Sequence, residues 1–384
     1  MSGFKTKTYR NIFKEVGIGQ QEIDDRLESA FRTFFYDEKE RIYNEAPDGM
    51  GYLTDTGNND ARTEGMSYGM MMCVQLDKKE EFDRIWKWSK TYMFMQDGEN
   101  EGYFAWSCQT DGTKNAYGPA PDGEEFYAMA LFFASHRWGD GEGIFEYSRE
   151  AKEILRACLH KGENDRQGQP MWNHENHQIL FVPGSSFTDP SYHLPHFYEL
   201  FSLWSYEEDR EFWKKAAVAS REYLVQCCNS ETGLCSEYAH FDGQPVSEEM
   251  PWGYFGDFFS DAYRTAANIG LDAEWFGEDH GQLNVPIRIM KYFGTDLEAV
   301  RCAYKIDGTP TERPVLHPLG LLATVAQGAL AAPYSNEDDS DFALAAKWVK
   351  WFWNQPLRKG SRRYYDNCLY MFALLALSGN YRIW

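Results

Sequence analysis

The stretch "TEGMSYGMMMCVQL" (63–76) decides the fold. It is apolar on every side of a helical wheel, and its one charge, Glu64, stands at its start. A helix without a polar face has to be buried. Five further segments repeat the format of a loop rich in Gly, Pro and Asp followed by a strongly apolar helix. They are "PDGEEFYAMALFFASHRW" (121–138), "DPSYHLPHFYELFSLW" (189–204), "FSDAYRTAANIGL" (259–271), "LHPLGLLATVAQGALA" (316–331) and "YYDNCLYMFALLALSG" (364–379). Their starts lie roughly 50–70 residues apart, the length of a helical hairpin with a long loop.

Between these segments run six others with charge on one face. They cover 20–35, 80–94, 146–159, 209–228, 281–293 and 341–353. In the first, Ile23, Leu27, Phe31, Phe34 and Phe35 recur at the period of a one-sided helix. Six helices that need complete burial alternate with six that border solvent. Two concentric rings satisfy both sets, with inner helices parallel to one another and outer ones antiparallel to them. This predicts an all-α fold, an (α/α)6 barrel of six inner and six outer helices. Strand signals are few, with "QILFVP" (178–183) the best of them. No linker-like composition divides the 384 residues, which predicts a single domain over 1–384.

The net charge of −21 disfavours nucleic acid and anionic membrane as partners, and a neutral ligand fits best. No run approaches the roughly 18 apolar residues that span a bilayer. The opening "MSGFKTKTYRNIFKEVG" lacks the apolar core of a signal peptide, and the eight cysteines form no CxxC pair. A cytoplasmic protein is expected. The 13 Trp, 24 Tyr and 26 Phe exceed what a core needs, and some stand in loops beside Gly, Asp and Asn, as in "GYFAWSCQTDG" (102–112). Aromatic faces next to hydrogen-bonding groups suit a sugar ring, although they also suit protein interfaces.

In an (α/α)6 barrel all inner helices start at the same end, so the residues at their mouths converge. These are Glu64, Asp122, Asp189 with Tyr192, Asp261, His317, and Tyr364, Tyr365 and Asp366. Each acid alone could be a helix cap or a dipole partner; Asp122, for example, could cap its helix with Glu125 answering it. Several acids at one end of a cleft instead suggest general acid–base chemistry. Glycosidic cleavage needs one protonated carboxyl and one ionised carboxyl. Helix N-termini favour an ionised Asp122 or Asp261. Glu64, beside Met66 and the methionines at 70–72, fits the proton donor better. His193 and His196 have HxxH spacing, but no acids are placed to complete a metal set, so neither metal nor cofactor is expected.

"RTEGMSYGMMM", "PAPDGEEFYAMALFFA", "DPSYHLPHFYELF", "FFSDAYRTAANIG" and "RRYYDNCLYMFALLALSGN" together resemble glycoside hydrolase family 8, from about residue 8 to the C-terminus. The resemblance implies an (α/α)6 barrel and an inverting enzyme of β-1,4-linked glucan, xylan or chitosan. Within the family it is nearest to the branch that releases xylose from the reducing end of xylo-oligosaccharides. It implies Glu64 as proton donor and Asp261 as proton acceptor. Asp122 would grip the sugar at subsite −1, Tyr192 would help hold the attacking water, and Trp106 would stack on the glycone side. Ala120-Pro121-Asp122-Gly123-Glu124 departs from the broad family's Ala-Ser/Thr-Asp-Gly-Asp and favours the xylanolytic branch. Leu316, His317 and Pro318 match a kink that closes the cleft beyond subsite +1, with His317 facing the anomeric hydroxyl. Read without the resemblance, "HPLG" is equally a helix start. The other readings are an endo-acting family 8 xylanase or glucanase, or an (α/α)6 sugar epimerase or binding protein. An epimerase would use histidines as its acid and base.

Overall fold

A computed structural model describes residues 2–164, 166–294, 302–334 and 340–384. Among them are twelve helices of nine or more residues. The outer ring consists of α1 (Gln20–Tyr36), α3 (Lys79–Trp88), α5 (Tyr147–His160), α7 (Arg210–Cys227), α9 (Val285–Phe293) and α11 (Ser340–Trp353). The inner ring consists of α2 (Thr63–Gln75), α4 (Pro121–Trp138), α6 (Pro195–Trp204), α8 (Arg264–Trp275), α10 (Pro318–Gln327) and α12 (Arg363–Leu377). Each inner helix touches the next, and α12 touches α2, which closes the ring. Every outer helix packs on the inner helix before it, and α1 packs on α12. The fold is the (α/α)6 barrel expected from the alternation.

Burial follows the predicted division. In α2 every residue except Glu64 is buried, and α12 is buried from Tyr364 to Leu377. In α1 only Ile23, Leu27, Ala30, Phe31, Phe34 and Phe35 are buried, one stripe facing α12. One apolar cluster joins residues from both rings.

The loops depart from expectation in two ways. The stretch 178–183 is no strand; it contributes a single bridge, Ile179 to Trp172. Pro183 has no N–H to donate, and Ser185 N–H turns back onto the Val182 carbonyl, which ends any extension. Four short antiparallel strand pairs stand elsewhere in the loops: 43–46 with 50–53, 60–62 with 107–109, 187–188 with 239–240, and 302–304 with 310–314. The second of these positions the site, because it runs directly into α2 on one side and carries Trp106 at the edge of the other.

Two mouths are also built differently from a plain helix start. Asp189 and Tyr192 flank and end a 3-10 turn, Pro190–Tyr192, that precedes α6. Asp261 lies in a second 3-10 turn, Ser260–Tyr263, that precedes α8. Ser260 there has φ +38°, a sparsely populated conformation for a residue with a Cβ.

Candidate active site

The acids at the inner mouths do converge, and what they converge on is Arg264, the first residue of α8. Its Nη1 donates to Asp122 Oδ2 at 3.1 Å and lies 3.7 Å from Glu64 Oε2. Its Nη2 lies 3.4 Å from Asp261 Oδ1 and 3.9 Å from Asp189 Oδ2. Nη1 also donates to the Tyr68 hydroxyl at 2.7 Å, and the guanidinium sits 5.6 Å from the Tyr192 ring centroid. One cation is thus shared by four carboxylates, with Glu64 and Asp261 on different nitrogens.

A single guanidinium cannot balance four negative charges in a buried site, so protons remain bound. Burial pushes the Glu64 carboxyl up to about 8; Arg264 opposes this, while the charges of Asp122 and Asp261 add to it. Asp189, wholly buried, is likewise pushed up to about 8 by burial against the pull of Arg264. Burial also raises Asp122, and this outweighs Arg264 and the Gly123 N–H that donates to it at 2.9 Å. Burial therefore opposes the helix-terminus effect at Asp122. Asp122 is no cap either: the N-cap of α4 is Ala120, and Glu125 accepts from the Tyr198 hydroxyl at 2.8 Å.

The four acids differ in access. The Asp261 side chain is 36% exposed, against 17% for Glu64, 7% for Asp122 and 0% for Asp189. Asp261 is the one that water reaches most readily. A cleft of about 240 Å³ exposes Glu64 and Asp261 together, with Leu316 and His317 along its wall. Each of the two acids holds its own tyrosine: Tyr364 donates to Glu64 Oε1 at 2.8 Å, and Tyr365 donates to Asp261 Oδ1 at 2.9 Å.

Trp106 is brought beside this cleft by the pairing of 60–62 with 107–109. Its carbonyl accepts from Thr63 N–H at 2.9 Å, and the Arg62 guanidinium lies 5.2 Å from its ring. The ring remains exposed, available to a ligand face. Pro318 opens α10 with His317 as its N-cap, the helix start the sequence also allowed. His193 is a core histidine, sandwiched between the Ser220 hydroxyl at 2.9 Å and the Thr188 hydroxyl at 3.2 Å. Burial lowers both His193 and His196 to about 3, which leaves them neutral near pH 7.

The profile of glycosyl hydrolases family 8 matches residues 47–379. The chain belongs to this family. As a family 8 glycoside hydrolase it is similar along its length to characterised relatives. The reducing end xylose-releasing exo-oligoxylanase of Halalkalibacterium halodurans is 57% identical over 99% of this chain and 96% of its own. A crystal structure of a reducing-end-xylose releasing exo-oligoxylanase complexed with xylose superposes with TM-score 0.95 at 56% identity, covering 100% of both chains. Rex8A from Paenibacillus barcinonensis, complexed with xylose, superposes with TM-score 0.94 at 52% identity, covering 100% of this chain and 99% of that one.

Arg264 is the main residue of the site to which the sequence reading assigned no part, though it stands three residues after Asp261 in "SDAYR". An arginine in the first turn of an inner helix, three residues after an acid at its mouth, was the available signal. The two tyrosines and Asp366 were placed at the right mouth but given no partners.

Proposed function

We propose that the chain is a single-domain inverting exo-oligoxylanase that removes xylose from the reducing end of β-1,4-linked xylo-oligosaccharides. Glu64 gives its proton to the glycosidic oxygen, which leaves as the 4-hydroxyl of the reducing-end xylose. Asp261 takes a proton from water as the water oxygen bonds to the anomeric carbon from the opposite face. The new reducing end is therefore α-configured. Asp122 and Trp106 hold the sugar on the glycone side, and Tyr192 helps hold the water.

The observation that carries this reading is the pairing of a carboxyl raised to about 8 with a more exposed carboxylate across one guanidinium. A retaining pair would stand only about 5–5.5 Å apart to allow direct attack, whereas inversion leaves room for water. The exo mode rests on the wall at Leu316 and His317 and on relatives at 51–57% identity that carry that activity in their names. Relatives named as endoglucanases are 25–26% identical. We place the enzyme in the cytoplasm, since all eight cysteines are free thiols and reducing compartments keep them so. Among the described residues no helix is long and apolar enough to cross a membrane.

Proton NMR of xylotriose during hydrolysis tests the proposal. Xylose and α-xylobiose are expected as the first products, with polymeric xylan left intact. First-formed β-xylobiose would overturn inversion, and internal cleavage of xylan would overturn the exo mode.

A further inference from the structure

Four consecutive residues of α12 serve four different groups. Tyr364 and Tyr365 hold the two acids described above. Asp366, wholly buried, takes three donors: Gly320 N–H at 2.6 Å on Oδ1, and His317 Nδ1 at 3.0 Å and Arg358 Nη1 on Oδ2. Asn367 exchanges two hydrogen bonds with the Arg358 backbone, at 2.8 and 2.9 Å. Arg358 Nη1 also donates to the Leu316 carbonyl at 2.8 Å. The segment 316–320 is thereby gripped at both ends and in its middle, while the Tyr365 ring packs edge-on against His317 with centroids 4.9 Å apart.

We infer that Asp366 and Arg358 are positioning residues that set the reducing-end specificity of the site, by fixing both the wall and the tautomer of His317. A carboxylate beside an arginine accepts hydrogen bonds, so it draws the imidazole proton to Nδ1. Nε2 is then the nitrogen left for the cleft, and it carries a lone pair. An acceptor at that position pairs with a sugar hydroxyl that can donate. A free anomeric hydroxyl at the reducing end donates; the O1 of a chain that continues, or of an O1-methylated chain, has no hydrogen to give. The unpaired lone pair then counts against the wrong ligand, which is how buried polar groups discriminate. This rests on the reducing-end reading above.

The experiment compares kcat/KM for xylotriose and methyl β-xylotrioside in the wild type and in Asp366→Asn. The amide keeps a carbonyl for Gly320 and turns an N–H₂ toward His317 and Arg358, so the ring proton moves to Nε2 and Arg358 is left with the Leu316 carbonyl. The preference for the free sugar is expected to fall at least about tenfold, through loss on xylotriose rather than a uniform loss on both. A variant that discriminates as the wild type does would overturn the inference while leaving the reducing-end reading intact. A wild type indifferent to O1-methylation would instead overturn that reading, and this inference with it. Nitrogen-15 NMR of the imidazoles, with His317 assigned by its loss in His317→Gln, reads the tautomer without any Asp366 variant. Nδ1–H is expected, and Nε2–H in the wild type would overturn the inference.

Discussion

Tyr364 and Tyr365 are neighbours in the chain, yet their hydroxyls hold opposite sides of the reaction, Glu64 at 2.8 Å and Asp261 at 2.9 Å. Successive residues of a helix point about 100° apart, so one helix mouth reaches two acids on either side of Arg264. The arrangement ties the acid and the base to a common rigid element. Precision of that kind is what separates a competent site from one a fraction of an ångström too loose.

The Tyr364 hydroxyl stabilises the charged form of Glu64, opposing the burial that raises the carboxyl to about 8. In the wild type, kcat/KM is therefore expected to fall as pH rises through about 8, where the donor loses its proton. Tyr364→Phe removes a group that favours ionisation, so the alkaline limb moves to higher pH. A pH profile of kcat/KM on xylotriose for both proteins checks the sign. A limb that moves downward would mean that the hydroxyl serves the protonated acid instead.

Tyr365→Phe leaves Asp261 without its direct donor but leaves the cleft wall in place. Turnover is expected to drop about 10–100-fold with KM little changed, since orientation of the base matters in the transition state more than in the bound complex. Asp261→Asn goes further: turnover is abolished while xylotriose still binds, which calorimetry on the inactive protein measures directly. Activity retained in Asp261→Asn would move the base to another acid.

Arg264 is the shared counter-charge, and its loss has a pH signature. Glu64 and Asp189, raised to about 8, carry protons in the folded chain that the unfolded chain releases near pH 4. Their contribution to stability is complete below that lower value and is lost as pH rises through about 8. In Arg264→Met the folded-state values rise further, so both acids keep their protons to higher pH, and the variant loses stability relative to the wild type as pH rises through about 8 and beyond. At pH 4 the deficit is expected to be small; above about pH 8, where the wild-type acids ionise against Arg264, it is expected to reach about 3–5 kcal/mol, the usual result of removing one partner of a buried pair. Thermal melts across pH 4–9 test this, and a deficit independent of pH would mean that Arg264 acts through packing alone.

The rings were legible because burial demands are written in single residues. Glu64 is the only residue of α2 that is not buried, and the charge-free run behind it announces an inner helix. The periodic apolar stripe of α1 announces an outer one. The convergence of the acids followed from the parallel inner ring. The object of their convergence did not, because Arg264 is one arginine among many and only geometry shows it surrounded. The 3-10 turns that carry Asp189 and Asp261 escaped for a related reason. A turn of three or four residues has no period, so Pro190 and Ser260 look like ordinary helix starts. Tyr364 and Tyr365 find Glu64 and Asp261 at 300 and 104 residues' distance, and Asp366 finds His317 at 49, all beyond any local pattern.

Gly65 offers a test in which local propensity and site geometry oppose each other. Within a helix Ala is favoured over Gly by about 1 kcal/mol, so Gly65→Ala should stabilise α2 if nothing else mattered. A Cβ there would stand 2.6 Å from Cε2 and 2.9 Å from Cζ of Tyr364, the ring whose hydroxyl holds Glu64. Tyr364 is buried and cannot swing clear, so the ring must shift and the hydrogen bond to Glu64 must break. At Gly69, one turn further along α2, a Cβ would instead meet the methyl groups of Leu53. Both substitutions crowd the same helix, and both are expected to lower the melting temperature, by about 1–3 kcal/mol of stability. Only Gly65→Ala is expected to move the alkaline limb of kcat/KM, in the same direction as Tyr364→Phe. Equal pH profiles for Gly65→Ala and Gly69→Ala would show that the tyrosine does not govern the acid.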